Sequence, residues 1–336
     1  MNHEPSNKAY STKLGSMWHS TIETALVQEP LNALRGKVDL VFTSPPYPLK
    51  KKKKYGNKTG DDYLQWLTGL APKIADLLSP TGSVVIEIGN AWESGVPEMS
   101  TLPLKTLLGF QEAANLKLCQ HIVWHNPARL PSPGQWVTIE RIRLKDSFTH
   151  VWWMSKCSKP KADNRRVLIP YSKDMKGLLK KQDYNGGKRP SGHVISENGF
   201  LKDHGGSISA SVVDSADQKR FPESLLQFSN TKWDAKYSDF CRENDLPAHP
   251  ARMPIDLAAF MIQFLTEPGD LVLDPFAGSN TTGAAAEMLD RRWVSIEVQE
   301  AYINGSQSRF ENSILERSKT IFQSNDLTRE INNGDP

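Results

Sequence analysis

Thr43-Ser44-Pro45-Pro46-Tyr47 follows directly on the apolar run Leu40-Val41-Phe42, and five consecutive lysines, Lys50 to Lys54, come three residues later. A serine hydroxyl and a proline carbonyl both accept hydrogen bonds from an amino group, and the locked φ of proline fixes the direction in which its carbonyl points. Tyr47 adds an aromatic face. The lysines are suited to phosphate, although a merely solvated loop is the plainer account of a charge run by itself. A second stretch, LVLDPFAGSNTTGAAAEML from Leu271 to Leu289, passes from an apolar strand through a small-residue loop with Gly278 into an alanine-rich segment. Strand, tight turn and helix N-terminus recur where a nucleotide-like ligand is held at the carboxyl edge of a parallel sheet. A close-packed turn is the alternative. The stretch is neither G-x-G-x-x-G nor a P-loop. Glu297 ends the next strand, RRWVSIEV, where its carboxylate can accept from two ribose hydroxyls.

These groups need a scaffold, and periodicity supplies its outline. Strands are predicted near Ser16–His19, Val38–Thr43, Ser83–Ile88, Leu118–Trp124, Val151–Met154, Leu271–Asp274 and Trp293–Glu297. Helices are predicted over Asp61–Leu78, which Pro72 should kink or split, over Ile255–Thr266 behind Pro254, and over Thr281–Asp290 and Gln299–Ser313. Alternating strands and helices imply an α/β fold with a mostly parallel sheet covered on both faces. Between about Ser155 and Ala248 the chain is rich in Lys, Ser, Gly, Asp and Asn, which reads as a loop-rich insertion.

The 336 residues, 38% apolar and 24% charged, describe a folded protein large enough for one domain with an insertion or for two. The polar opening MNHEPSNKAY and the absence of a long apolar run argue for a soluble, cytoplasmic chain. Three scattered cysteines with no CxxC pair give no metal site and no disulfide framework. Net charge is +3, yet Arg141 to Arg189 holds 14 Lys and Arg against 4 Asp, a candidate polyanion-facing surface.

Asp274-Pro275-Phe276-Ala277-Gly278-Ser279 resembles the S-adenosylmethionine-binding motif of DNA amino-methyltransferases, and Thr43 to Tyr47 resembles their catalytic motif. The catalytic motif comes first and the cofactor loop last, as in the permuted beta class. The blocks HNPARLPSP, VWWMSK, RPSGH, GGSI and AHPAR are similar to those of PvuII-type modification methyltransferases. The resemblance implies a seven-stranded methyltransferase sheet in permuted order, with residues 1–155 the catalytic half, 156–248 a target-recognition region, 249–320 the cofactor half and 321–336 a flexible tail. It implies S-adenosylmethionine held by Asp274, Pro275, Phe276, Gly278, Ser279, Asn280, Thr281 and Glu297, with His249 towards its carboxylate end. The chain departs from the family twice. Asn280 stands where relatives have Gly, so the turn rests on an Asn at positive φ, and Ser20 stands where a carboxylate commonly faces the adenine.

An exocyclic nucleobase amine is a poor nucleophile because its lone pair is delocalised into the ring. Ser44 and the Pro45 carbonyl would localise that pair by accepting the amine's hydrogens, with Pro46 shaping the turn and Tyr47 stacking on the base. The base must first leave the duplex, at a few kcal/mol. Lys50, Lys51, Lys52, Lys53 and Lys54 would contact flanking phosphates, and Arg165, Arg166, Lys188, Arg189 and His193 would face DNA from the insertion. Serine at the first acceptor position favours cytosine N4 over adenine N6. A catalytically inactive DNA-binding regulator, or a methyltransferase for RNA or protein, is the alternative from another class. Double-stranded DNA is the implied partner, which places the protein on the nucleoid; a homodimer and a companion restriction endonuclease are compatible with the resemblance.

Overall fold

The structure, a computed structural model, describes residues 5–47, 58, 60–170, 212–214, 219–220, 222–228 and 232–310. Among these, nine strands form one sheet: β1 (Asn7–Ser11), β2 (Gly15–His19), β3 (Val38–Thr43), β4 (Leu78–Gly89), β5 (Lys117–His125), β6 (Phe148–Ser155), β7 (Leu225–Gln227), β8 (Leu271–Asp274) and β9 (Arg292–Glu297). Their spatial order is β1-β2-β9-β8-β3-β4-β6-β5-β7. The run β2-β9-β8-β3-β4 is parallel throughout, β1 and β6 run against their neighbours, and β7 lies parallel to β5.

The seven strands expected from sequence are all present, and the count of seven is corrected to nine by two short edge strands. β1, NKAYS, is almost wholly exposed, and β7 is only three residues long. Neither carries the apolar run or alternation that makes a strand visible in a sequence. The central strands do: all four residues of β8 are buried, as are five of the six in β3, so helices must cover both faces.

The covering helices are α1 (Ile22–Val27), α2 (Gly60–Leu77), α3 (Leu102–Ala113), α4 (Lys232–Glu243), α5 (Ile255–Leu265), α6 (Thr281–Met288) and α7 (Glu300–Ser306). α2 continues through Pro72 instead of splitting there. Proline inside a helix costs ~3 kcal/mol. Tyr63, Leu67, Leu70, Ala71, Ile74, Ala75 and Leu77 are all buried from this helix, and at ~1.5–3 kcal/mol per large apolar side chain that burial outweighs the lost bond.

The chain leaves β3 through α2 towards β4 on one side and leaves β8 through α6 towards β9 on the other. The β3/β8 pair, in register as Val272 with Leu40 and Leu273 with Val41, is therefore the point where the winding reverses. Open parallel sheets bind ligands outside the carboxyl ends of the strands at such a point.

The chain divides into two compact units, 1–162 with 224–324 and 163–223 with 325–336. The nine-stranded sheet belongs to the first, including β7 and α4, which the sequence reading placed in the insertion. In the second, Ile169–Pro170, Lys219–Arg220 and Val212–Asp214 form a small antiparallel ribbon. No helix among the described residues is long and apolar enough to cross a membrane.

Candidate active site

β3 ends in Thr43 and delivers Ser44 and Pro45 to the sheet edge, where the parallel register with β4 (Thr43 opposite Ile86) sets Ser44 beside Glu87. The Ser44 hydroxyl donates to Glu87 Oε2 at 2.5 Å, and the Tyr47 hydroxyl donates to the same carboxylate at 2.9 and 3.0 Å. Glu87 is only 1% exposed. Burial pushes its carboxyl above the usual glutamate range, against the opposing pull of the Ser44 and Tyr47 hydroxyls and of the Arg129 charge. Burial likewise raises the Tyr47 phenol, and the charge of Glu87 raises it further. The Tyr47 ring lies against Gly89, where an added Cβ would come within 3.2 Å of it. Glu87 escaped the sequence reading, although an acid inside the apolar run VVIEIG was the available signal: a buried carboxylate must find donors.

On the neighbouring strand, Asp274 braces the two motifs together. Its Oδ1 accepts from the Thr43 hydroxyl at 2.6 Å and from the Phe276 amide at 3.1 Å, and Oδ2 accepts from the Thr282 hydroxyl at 2.7 Å. Desolvation pushes its carboxyl up to about 6 in spite of these donors. The loop beyond turns at Gly278, φ 52°, and at Asn280, φ 57°. The expectation of Asn at positive φ is met, and side-chain bonds secure it: Asn280 donates to the Tyr10 hydroxyl and accepts from the Ser295 hydroxyl. Asn280 is fully buried beneath the loop, outside the cavity lining, and supports the turn from below. The loop backbone is tied further by Arg309, whose guanidinium donates to the Ser279 carbonyl at 2.8 Å while its charge meets Asp234 at 3.4 Å, both side chains buried.

Glu297 closes the far side. Its Oε2 accepts from the Gly278 amide at 2.7 Å, and Oε1 accepts from the amides of Val298 and Gln299 at 3.0 and 2.9 Å. Of roughly four acceptor positions on a carboxylate, three are thus engaged, leaving one on Oε2. Burial raises this carboxyl too.

A cavity of about 350 Å³ opens at this edge, lined by Ser20, Ser44, Pro45, Pro46, Tyr47, Asp274, Pro275, Phe276, Gly278, Ser279, Thr281, Glu297 and His249 among the residues anticipated from sequence. It also reaches Trp66, Arg252 and Tyr302, which were not anticipated. Trp66 and Phe276, with ring centroids 5.5 Å apart, form an aromatic wall. The His249 ring packs edge-on against Tyr302 at 4.6 Å and fills the space over Gly278, where a Cβ would stand 3.0 Å from Nε2. Burial pushes His249 down to about 4, so it is neutral at pH 7. An aromatic wall, one free carboxylate lone pair and a Cβ-free turn suit an adenosine-bearing cofactor.

Arg165 and Arg166 lie in the second unit. Arg165 makes a bidentate pair with Asp163, Nε and NH2 donating at 2.9 and 2.7 Å. Lys50 to Lys54, Lys188, Arg189, His193 and the segment 321–336 lie outside the described residues. Trp152 and Trp153 are buried, Trp153 donating to Ser83. Among the described residues no cluster of His, Cys, Asp and Glu is able to hold a metal.

A doubly wound sheet, a cavity at its reversal point and a carboxylate-held Ser-Pro-Pro-Tyr rim define the S-adenosylmethionine-dependent methyltransferase class of α/β proteins. The chain belongs to the N6/N4 methyltransferase family described as DNA methylase, whose model matches residues 38–308. It is 39% identical over 330 residues to the type II methyltransferase M.PvuII of Proteus hauseri, covering 97% of this chain and 91% of that protein. It is 25% identical over 309 residues to M.BglII of Bacillus subtilis, covering 90% and 70%. The solved PvuII DNA methyltransferase, cytosine-N4-specific, superposes with a TM-score of 0.70 at 33% identity, covering 97% of this chain and 96% of the other.

Proposed function

We propose that the protein transfers a methyl group from S-adenosylmethionine to the N4 amine of a cytosine flipped out of duplex DNA, as the modification enzyme of a restriction–modification system. The observation that carries the reading is the Ser44–Glu87–Tyr47 cluster facing the Asp274-to-Glu297 pocket across the β3/β8 reversal. The 39% identity to M.PvuII and the superposition on a cytosine-N4-specific enzyme support N4 over adenine N6.

The Ser44 proton is committed to Glu87, so the Ser44 oxygen faces the cavity as an acceptor. The Pro45 carbonyl is the second acceptor. Holding both amine hydrogens draws the nitrogen lone pair out of the ring and fixes its direction. S-adenosylmethionine, when bound, supplies an electrophilic methyl group. Transfer of that methyl to the nitrogen, with the carbon–sulfur electron pair remaining on sulfur, would leave the nitrogen with one proton for the protein to remove. That proton passes to the Ser44 oxygen as the Ser44 proton passes to Glu87, whose raised pKa suits it to receive one. The Tyr47 ring carries the flipped base, while its hydroxyl helps fix Glu87. Phe276 and Trp66 take the adenine, the free lone pair of Glu297 takes one ribose hydroxyl, and His249, Ser20, Ser279 and Thr281 line the rest.

The test is incubation with labelled donor and unmodified duplex DNA, followed by digestion to nucleosides. N4-methylcytosine is expected. N6-methyladenine would move the assignment to the other amine, and tight DNA binding without incorporation would leave a regulator. A companion endonuclease blocked by this methylation, a homodimeric state and a place on the nucleoid belong to the same reading. Resistance of the methylated DNA to that endonuclease, and sedimentation of the purified chain, check the first two.

A further inference from the structure

Beyond the pocket, the residues joining β5 to β6, 126–147, form a structured projection. β5 ends and β6 begins at the edge where β4 presents Glu87, since Gly89 pairs with Thr149 and His125 with Phe148. The two arms continue past the sheet as a pair: the Asn126 amide donates to the Ser147 carbonyl, Lys145 to the Pro127 carbonyl and Arg143 to the Ser132 carbonyl. A π-turn over Gln135–Ile139 closes the tip, and the Arg143 guanidinium lies 3.3 Å over the Trp92 ring beside it. Arg129 anchors the base, donating to the Thr149 hydroxyl and the Phe148 carbonyl.

On this fixed frame four large aliphatic side chains stand in solvent: Leu144 is 89% exposed, Leu130 80%, Ile139 69% and Ile142 60%. Apolar side chains gathered in one projection mark a contact surface. The charges beside them select the partner. Arg129, Arg141, Arg143 and Lys145 face only Glu140 and Asp146 within the segment; Asp146 is met by Arg129 at 3.7 Å and by the Asn90 amide, and Glu140 accepts from Gln135. Arg141 has no ion-pair partner among the described residues. The positive excess that begins at Arg141 thus starts on the catalytic unit, not in the insertion.

We propose that this projection is a second DNA-contacting element: Arg141 meets a phosphate near the target, and the exposed side chains of Leu130 and Leu144, one on each arm, press into the duplex where the extruded base has left a gap. The inference rests on the DNA-methylation reading. β6 is two strands from β3, so the projection rises ~10 Å from the Ser44 strand, within reach of the base pairs flanking the target. Proteins that kink or open DNA insert apolar wedges backed by cationic groups in this way.

Two exposed substitutions test it, Leu144→Ser and Arg141→Ala, each checked for an unchanged melting temperature and unchanged S-adenosylmethionine binding. Leu144→Ser should lose at least tenfold in methylation of paired duplex and keep near wild-type rates on single-stranded DNA or on a duplex with an unpaired target. Arg141→Ala should lower the slope of log affinity against log salt by about 0.9. Equal loss on paired and unpaired substrates, or an unchanged salt slope, would overturn the proposal. So would a change in sedimentation with DNA binding intact, which would make the projection a contact between copies. Failure of the wild type to methylate either substrate strikes the functional reading instead.

Discussion

Glu87→Gln separates chemistry from folding. The carboxylate accepts two hydroxyl protons, from Ser44 at 2.5 Å and from Tyr47 at about 3 Å. A Gln side chain keeps one acceptor oxygen and turns the other position into a donor, so one hydroxyl loses its partner. Hydrogen bonds to a charged group contribute ~1.5–3 kcal/mol each, and loss of a positioned proton acceptor costs roughly 10²–10⁴ in rate. These effects overlap, so turnover should fall about 10²–10⁴-fold. Stability should not fall with it, because the folded state already opposes the Glu87 charge: burial raises its pKa. The assay is turnover against pH at saturating donor. In the wild type the cluster works only with Glu87 ionised, so the rate rises with pH through a pKa displaced upward from that of an ordinary glutamate. The variant should lack that rise. A variant within about threefold of wild type, or one that keeps the same acid limb, would refute the role given to Glu87.

Asp274→Asn should flatten the stability profile in mild acid. The folded pKa of about 6 lies above the ordinary value of 3.8, so stability from this group is greatest below 3.8 and falls as pH rises to about 6. The full loss amounts to ~3 kcal/mol, of which about 2 kcal/mol falls between pH 4.5 and 7, where urea unfolding measures it. Gly278→Ala forces a side chain at φ 52° and brings its Cβ to 3.0 Å from His249 Nε2. Calorimetry should show donor affinity falling about tenfold or more, at ~1–2 kcal/mol for the backbone alone, with part of the loss recovered in Gly278→Ala/His249→Ala. Arg309→Met strands buried Asp234 and should cost about 3–5 kcal/mol. Adding Asp234→Asn should cost less than the sum of the single changes, as chemical denaturation of the cycle will show.

Much of this site was legible because its two motifs end apolar runs. β3 and β8 are buried on both faces, so Val38 to Phe42 and Leu271 to Leu273 announce strands, and the polar residues at their ends announce a sheet edge. What stayed hidden depended on register. An acid inside VVIEIG signals that Glu87 needs donors, but not which ones: only when β4 is aligned with β3 does it stand beside Ser44. Asp274 lines the cavity, but its bracing donors Thr43 and Thr282 come from another strand and from the following helix, which only the register reveals. β1 and β7 carry no pattern of their own because edge strands borrow their definition from a neighbour. Pro72 misled because local propensity is weak beside the burial of seven helix residues.

The bond between Thr43 and Asp274 spans 231 positions, whereas that between Gly278 and Glu297 spans 19. Closing the longer loop costs about 5 kcal/mol of chain entropy. On a ribosome, Ser44 and Glu87 emerge early, but one edge of β3 has no partner until β8 is made. At ~5–20 residues per second, the roughly 190 residues between Glu87 and Asp274 take about 10–40 s to synthesise. During that interval an apolar strand edge is open to mispairing, and the two halves of the catalytic centre first meet only after β8 has been made.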